Sequence, residues 1–121
     1  TSPFRTHIHI NKAFKVLGKK KSENLASVKE ISEIFFKSFT YDKLLKPNNL
    51  KSLNSNRQSL KKIFLVNGAI YIFTKKNFLK SNKIPSNMLV PLFMNTFESI
   101  DINDKFDYEL SLNFSKKMIY K

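Results

Sequence analysis

Apolar residues recur at helical spacing near both ends of the chain. Thr6 precedes the first such stretch as a candidate N-cap, and the stretch runs from His7 to Lys20. Its apolar stripe consists of Ile10, Ala13, Phe14 and Leu17. Near the other end Asp104 precedes a second stretch, whose apolar residues repeat every fourth position at Phe106, Leu110 and Phe114. We therefore predict a helix over about 7–20 and a last helix that Asp104 caps.

The middle of the chain carries short apolar runs that are typical of strands. Three of these runs lie at residues 25–28, 89–94 and 98–102. The strongest strand signal covers 64–73, where Asn67 and Gly68 interrupt it. This dipeptide either forms a hairpin turn or leads into one core strand over 69–73. Pro91 indicates that the strand over 89–94 lies at a sheet edge or contains a bulge.

Between these runs the pattern predicts less regular structure. Residues 34–45 mix aromatic side chains with turn formers, which predicts a hairpin-like excursion that turns near 41–43. Residues 46–58 are polar and rich in Asn, so we expect a loop, and residues 75–80 predict a short helix. Strands that alternate with helices favour an α/β layer architecture.

The length of 121 residues corresponds to one domain or part of one, and 41% hydrophobic residues fit a globular protein. The absence of Cys excludes disulfides and thiolate metal sites. No signal-peptide pattern opens the sequence, and no apolar run approaches the roughly 20 residues of a membrane span. We expect a cytoplasmic protein with no membrane partner.

The formal net charge of +13 raises the possibility of a nucleic-acid partner. However, the positive charges are twenty Lys and only two Arg, scattered along the chain among thirteen Asn. Proteins that bind nucleic acids specifically depend on Arg for bidentate contacts. The charge equally suits small phosphorylated or carboxylated substrates, and we expect no nucleic-acid partner.

Oxygen-bearing side chains cluster in residues 99–104. Alternation along a strand would place Asp101 and Asn103 on one face, where they could bind Mg²⁺ together with substrate phosphates. The same residues could equally form the N-cap of the last helix, with acidic groups at its positive end. The spacing alone favours neither interpretation.

Two further features have a simpler and a more specific interpretation. Arg57 lies in a polar loop, where it is either a solvated surface residue or a clamp for a carboxylate or phosphate. His7 and His9 are two residues apart at a helix start and cannot share a helical face. We interpret them as surface or capping residues and not as metal ligands.

Seven short segments are informative because of their order along the chain. They are Thr-Ser-Pro-Phe-Arg-Thr at 1–6, Leu-Ala-Ser-Val-Lys-Glu at 25–30, Phe-Phe-Lys at 35–37, Asn-Arg-Gln at 56–58, Asn-Gly-Ala-Ile-Tyr-Ile at 67–72, Pro-Leu-Phe-Met at 91–94 and Ser-Ile-Asp-Ile at 99–102. In order and spacing they resemble motifs of the CMP-sialic acid synthetases, the cytidylyltransferases for N-acylneuraminate and related nine-carbon sugar acids. Phe4 and Phe35 replace Leu and Pro of those motifs, and Asn103 stands where the family commonly has a second Asp.

The resemblance implies a reaction and a fold. Members of this family join CTP to the sugar acid, with Mg²⁺, and release pyrophosphate. It implies an α/β, partial nucleotide-diphospho-sugar-transferase (Rossmann-like) fold, with a mostly parallel sheet and a dimerisation arm near 32–66. Nothing in residues 1–121 matches the family's Gly-rich basic nucleotide-binding segment, so we expect the C-terminal portion of a homodimeric enzyme. A non-catalytic remnant and a basic nucleic-acid-binding module are the alternatives.

The resemblance also assigns roles to individual residues. Asp101 and Arg57 are implied as catalytic residues, and Asp101 and Asn103 as metal ligands, with Asp104 as an alternative to Asn103. Substrate-binding residues are implied at Ser2, Arg5, Lys37, Gln58, Asn67 and Tyr71. Of these, Lys37 acts with Arg57 on the sugar carboxylate, Gln58, Asn67 and Tyr71 line the sugar pocket, and Ser2 and Arg5 lie near the nucleotide.

Overall fold

The computed structural model of the chain describes residues 2–20, 22–50 and 61–119, with side chains up to residue 116. The helices in these residues are α1 (His7–Lys20), α2 (Ser32–Phe36), α3 (Lys75–Leu79) and α4 (Lys105–Ile119). The strands are β1 (Asn24–Glu30), β2 (Phe39–Asp42), β3 (Leu44–Pro47), β4 (Phe64–Phe73) and β5 (Val90–Phe93). The predicted α/β class is confirmed. No helix among these residues is long and apolar enough to cross a membrane.

The chain divides into two compact units. The first comprises Thr1–Lys29 and Val66–Lys121, and the second is Glu30–Leu65. The bounds of the second unit are close to the range 32–66 of the arm that the resemblance implies, and the role of these residues as an arm stays a prediction.

Three strands form one sheet in the order β4-β1-β5. β1 and β5 pair in parallel, with Leu25 opposite Val90 and Val28 opposite Phe93. The sheet as a whole is mixed, so the prediction of a mostly parallel sheet is wrong. Leu25 to Val28 are all buried in the central strand, because a strand with neighbours on both sides and covered faces excludes water. β5 is an edge strand in this sheet, which confirms the position that Pro91 predicted.

The hydrophobic core lies between α1 and the sheet. It consists of Ala13, Leu25, Ala69, Ile70, Leu92 and Met94, with Val16, Leu17, Ile72 and Val90 packed around it. The predicted stripe of α1 is only half right, because Ile10 and Phe14 remain 41% and 60% exposed. The buried face is centred on Ala13, whose small side chain lets the helix approach the sheet closely, and it continues to Val16 and Leu17 one turn on.

β4 is one continuous strand that passes through Asn67 and Gly68, so the hairpin alternative is wrong. Gly68 has φ +76°, a left-handed conformation that glycine adopts without a steric penalty. The Asn67 side chain turns inward, and its Oδ1 accepts a hydrogen bond from the backbone N–H of Ala69 at 3.2 Å. The strand therefore tolerates an irregular step that would otherwise end it.

The two glycines of the chain provide a test of this interpretation. A Cβ at Gly68 or at Gly18 would meet no atom within 4 Å, so Gly68→Ala isolates the effect of the positive φ. We expect this change to destabilise the chain by about 1–2 kcal/mol. Gly18→Ala in α1 should stabilise it by about 0.5–1 kcal/mol, because alanine loses less entropy in a helix. Urea unfolding of both variants measures the difference, and effects of the same sign would contradict the account.

Residues 98–102 do not form the predicted strand. Thr96–Ser99 form a turn, in which the Ser99 N–H donates to the Asn95 carbonyl at 3.0 Å. Asn95 and Glu98 stabilise it reciprocally, because each side chain accepts a hydrogen bond from the other's backbone N–H, at 2.8 and 2.9 Å. This local capping outweighs the alternating pattern of the apolar residues.

The last helix begins where the sequence predicts. Asp104 is its N-cap, and its Oδ1 accepts a hydrogen bond from the Asp107 N–H at 2.8 Å. Phe114 packs edge-on against Phe97, with ring centroids 5.3 Å apart. Phe106, however, is 71% exposed, so the predicted stripe is not buried along its whole length.

The second unit contains the predicted hairpin. β2 and β3 pair antiparallel, and Lys43 makes the turn between them with φ 60°. Side chains alternate across a hairpin, so one face carries Phe39, Tyr41, Leu45 and Pro47. α2 was not predicted as a helix. Of the expected loop over 46–58, residues 46 and 47 belong to β3 and residues 51–58 lie outside the described residues.

Candidate functional site

A buried network of hydrogen bonds joins β1, β4 and the turn after β5. The Ser27 hydroxyl donates to Asn67 Oδ1 at 2.5 Å, and Asn67 Nδ2 donates to Ser99 Oγ at 2.7 Å. The Ile70 N–H donates to Ser27 Oγ at 2.7 Å. All three side chains are buried. Segments that are far apart in the sequence therefore converge on the amide of Asn67.

The amide of Asn67 is fully engaged inside the first unit. Its oxygen accepts from Ser27 and from the Ala69 N–H, and its nitrogen donates to Ser99 and lies 3.6 Å from the Met94 sulfur. A buried amide with these partners is strongly held, since an unmatched polar group would cost free energy. In this arrangement Asn67 positions the strand and the turn, while the resemblance implies that it lines a sugar pocket.

Arg5 reaches the same part of β4 from the start of the chain. Its Nη1 donates to the Ala69 carbonyl at 2.7 Å, in a partly buried contact. The Arg5 backbone N–H donates to the Ser2 carbonyl at 3.3 Å, which places Ser2 in the same turn. Tyr71 lies two residues after Ala69 and is 40% exposed. Ser2, Arg5 and Tyr71 thus belong to the segments that meet around residues 67–71.

Asp101 and Asn103 lie in the irregular segment between the turn and α4. Asp101 is half-buried and Asn103 is exposed. The Asn103 side-chain amide donates to the Asp101 carbonyl at 3.5 Å, and its backbone N–H donates to Asp107 Oδ2 at 3.1 Å. Asp104 acts as the helix cap, which is the simpler of its two predicted roles. The two ligand candidates therefore lie in one short irregular segment and on no strand.

These donors fit Mg²⁺ only in part. Carboxylate and amide oxygens are the ligands that this ion prefers. No group of three His, Cys, Asp or Glu that could hold a metal occurs in the described parts of the chain. Binding of Mg²⁺ by Asp101 and Asn103 together with substrate phosphates stays a prediction.

The other predicted site residues are Lys37, Arg57 and Gln58. Lys37 belongs to the second unit, where its ammonium pairs with Glu33 at 2.8 Å and both side chains are exposed. Arg57 and Gln58 lie outside the described residues. Within the first unit, Ser2, Arg5, Asn67, Tyr71, Asp101 and Asn103 are the predicted site residues that occur together.

One pair of polar residues was not foreseen. His9 Nε2 lies 3.2 Å from Glu98 Oε1, and His9 Nδ1 accepts a hydrogen bond from the Thr6 N–H at 3.1 Å. The capping role predicted for His9 is thus confirmed, but its contact with Glu98 joins two distant segments. The sequence signals only the turn around Glu98, because Asn95 precedes Glu98 by three residues, the spacing of a capping box.

The carboxylate of Glu98 should make the stability of the fold depend on pH. The hydrogen bond from the Asn95 N–H lowers the pKa of Glu98 below its ordinary 4.5, and His9 contributes in the same direction. A lowered folded-state pKa stabilises the fold above about 4.5, and this stabilisation is lost as pH falls through the lowered value. We expect Glu98→Gln to destabilise the chain at neutral pH and progressively less in acid.

The melting temperature measured against pH checks this expectation. Glu109→Gln removes the same charge from an exposed position of α4 and is the matched control. An unchanged gap between wild type and Glu98→Gln at every pH would show that the carboxylate charge contributes nothing.

Comparison with known proteins assigns no family. No family model matches the chain, and no curated protein matches its sequence. An interpretation of its function therefore depends on the ordered motifs and on the contacts described above.

Proposed function

We propose that this chain serves in a cytidylyltransferase that transfers CMP from CTP to a nonulosonic acid and releases pyrophosphate. One observation carries the proposal. The motif-bearing segments around residues 2–6, 27, 67–71 and 99 are distant in the sequence, yet hydrogen bonds join them in one unit. Residues that share a substrate site have to lie close together, and this convergence supports such a site at the surface next to the buried network.

The charge of the chain suits the two substrates. CTP and a sugar acid are both anionic, and the net charge of +13 favours their approach. Arg5 is held by the Ala69 carbonyl through one guanidinium nitrogen, and the group carries further N–H donors. In the proposed site these donors bind nucleotide phosphate, while Tyr71 lines the sugar pocket.

The proposed reaction exchanges one bond at the α-phosphorus of CTP. The anomeric hydroxyl oxygen of the sugar acid bonds to that phosphorus, the bond from the phosphorus to the bridging oxygen breaks, pyrophosphate leaves, and the hydroxyl proton passes to water. Mg²⁺ supplies Lewis-acid stabilisation of phosphate charge when bound. The part of this chain is to orient the reactants through Arg5 and Tyr71 and to offer Asp101 and Asn103 as oxygen ligands.

The hairpin of the second unit supports a homodimer. Phe39, Tyr41 and Leu45 are exposed on one face, beside the half-buried Pro47. The opposite face carries the ion pair of Asp42 with Lys46 at 3.6 Å and also the exposed Leu44. An exposed apolar surface with polar residues beside it is typical of a protein interface. We propose that this hairpin is the dimerisation arm and that Lys37 contributes to the sugar site of the neighbouring subunit.

Pyrophosphate release tests the proposal directly. The protein that carries this chain is incubated with CTP, Mg²⁺ and, in turn, sialic, legionaminic and pseudaminic acids. We expect release that requires all three components and a CMP-sugar product detected by mass spectrometry. Absence of release with every nonulosonic acid, in a protein that contains the whole segment, would reject the proposal.

Arg57→Ala should act mainly on the sugar acid. The loss of a charged hydrogen bond to a carboxylate weakens binding by about 1.5–3 kcal/mol, which corresponds to an increase of roughly 10- to 100-fold in the KM for the sugar. The KM for CTP should stay near the wild-type value. Arg5→Ala is the contrasting variant, with its larger effect expected on CTP. An effect of Arg57→Ala confined to CTP would contradict the carboxylate role.

A further inference from the structure

His9 links two segments that carry residues of the proposed substrate site. Its Nδ1 accepts the Thr6 N–H at 3.1 Å and lies 3.0 Å from the Thr6 hydroxyl. Its Nε2 lies 3.2 Å from Glu98 Oε1. The His9 side chain is only 14% exposed and that of Glu98 is 31% exposed. The imidazole therefore contacts a fixed partner at each nitrogen.

These contacts specify one form of the ring. A nitrogen that accepts a backbone N–H must present its lone pair, so Nδ1 carries no hydrogen. The hydrogen of the neutral ring then lies on Nε2, where it donates to the Glu98 carboxylate. When the ring is neutral, these contacts therefore favour the tautomer with its hydrogen on Nε2.

Glu98 is itself held in place. Its Oε2 accepts the Asn95 N–H at 2.9 Å, and its own N–H donates to Asn95 Oδ1 at 2.8 Å. A second contact runs beside the first, because the rings of Phe4 and Phe97 lie 4.1 Å apart. The residues Thr6, His9, Glu98 and Asn95 form a continuous chain of hydrogen bonds, which we name the His9 clasp.

The clasp joins the two segments that carry the proposed substrate-site residues Arg5 and Asp101. Arg5 directly precedes Thr6, and Asp101 follows Glu98 by three residues. A helix cap requires only the contact between Nδ1 and Thr6. The contact between Nε2 and Glu98 adds nothing to that cap, but it fixes the start of α1 against the turn that leads to Asp101.

We propose that His9 is a positioning residue that acts through Thr6 and Glu98 to hold Arg5 and Asp101 at the separation needed for transfer. The inference rests on the proposed function, because that function makes Arg5 and Asp101 contact the substrate. Small displacements of aligned groups reduce the rate of a reaction far more than they weaken binding.

Two conservative variants separate the two ends of the ring. In His9→Asn the side-chain oxygen replaces Nδ1 and keeps the Thr6 contact, but the side chain is too short to reach Glu98. We expect kcat to fall about 10- to 100-fold, with each KM within about twofold of wild type. His9→Gln can still reach Glu98 and should retain more of kcat. His7→Asn, at an exposed position of the same helix, is the matched control and should change neither constant.

A double-mutant cycle then tests whether the two residues act as one unit. We expect His9→Asn combined with Glu98→Ala to lower kcat no further than the more severe single variant. If the reduction of kcat in the double variant equals the product of the two single reductions, the inference is overturned. Circular dichroism and thermal melting identify any variant that fails to fold. If His9→Asn is such a variant, the kcat of His9→Gln tests the inference in its place.

Nuclear magnetic resonance of the ring nitrogens tests the clasp without substrate. At a pH where the ring is neutral, we expect the ¹⁵N shifts of His9 to report a hydrogen on Nε2 only. A hydrogen on Nδ1 in an enzyme that turns over CTP would overturn the clasp and leave the proposed function intact. An Nε2–H ring in a protein with no turnover of CTP would overturn the proposed function, and with it the catalytic part of the inference.

Discussion

Replacing Asn67 with alanine is expected to lower the free energy of unfolding by about 2–4 kcal/mol. The change removes the shared partner of Ser27, Ser99 and the Ala69 N–H, all of which are buried. Each of these groups then loses a hydrogen bond in a region where water cannot readily replace it. The cavity left by the amide adds to the loss, because Met94 and its neighbours pack against it.

Urea unfolding followed by circular dichroism measures this effect. Asn11→Ala is the matched control, because Asn11 is exposed in α1 and alanine is a better helix former. We expect the control to leave stability unchanged or slightly raised. A loss below about 1 kcal/mol for Asn67→Ala would mean that the network contributes little, since a single average hydrogen bond accounts for that much.

Replacing Asp101 with alanine is expected to reduce kcat/KM for CMP transfer about 1,000-fold. The change removes the one carboxylate of the proposed ligand pair and leaves Asn103 alone. Loss of several kcal/mol of charge stabilisation in the transition state, about 4 kcal/mol, corresponds to this factor. Asp101→Asn should be less severe, because a neutral amide oxygen can still bind a hard cation.

Pyrophosphate release and calorimetric titration with Mg²⁺ in the presence of CTP measure the two consequences separately. Glu109→Ala removes an exposed carboxylate from α4 and should alter neither measurement. Full activity in Asp101→Ala would reject its role as a metal ligand. Reduced activity with unchanged affinity for Mg²⁺ would assign Asp101 another role in the site.

Local signals determined most of the secondary structure. Asp104 marks the start of α4 because its carboxylate satisfies a free backbone N–H, an interaction that needs no partner from elsewhere in the chain. Gly68 shows the limit of such signals. An Asn-Gly step suits both a turn and an irregular strand, and only the buried partners of Asn67 decide between them.

The secondary-structure predictions that are wrong concern segments in which one local pattern competes with another. Residues 98–102 alternate in polarity, which is typical of a strand, yet Asn95 and Glu98 form a capped turn instead. In α1 the sequence contains more apolar residues than the sheet can cover, and helical spacing alone cannot show that Ala13 lies at the centre of the contact.

The candidate site was predictable only as a set of segments. The motifs identify Arg5, Asn67 and Asp101, but no periodicity states that Arg5 donates to the Ala69 carbonyl or that Asn67 bonds to Ser99. Such contacts depend on how the strands order themselves in the sheet. The same reason hides the contact of His9 with Glu98, whose partners lie at opposite ends of the chain.

The position of Asn67 before Gly68 has a consequence for the chemical ageing of the protein. Asparagine followed by glycine readily loses its side-chain amide, because the glycine nitrogen can attack the side-chain carbonyl and form a cyclic imide. In the folded chain Ser27 and Ser99 hold that amide, and the attack requires it to rotate. Deamidation at this position should therefore proceed from molecules in which the network has opened. Its rate, followed by mass spectrometry, would record how often this buried network becomes accessible to water.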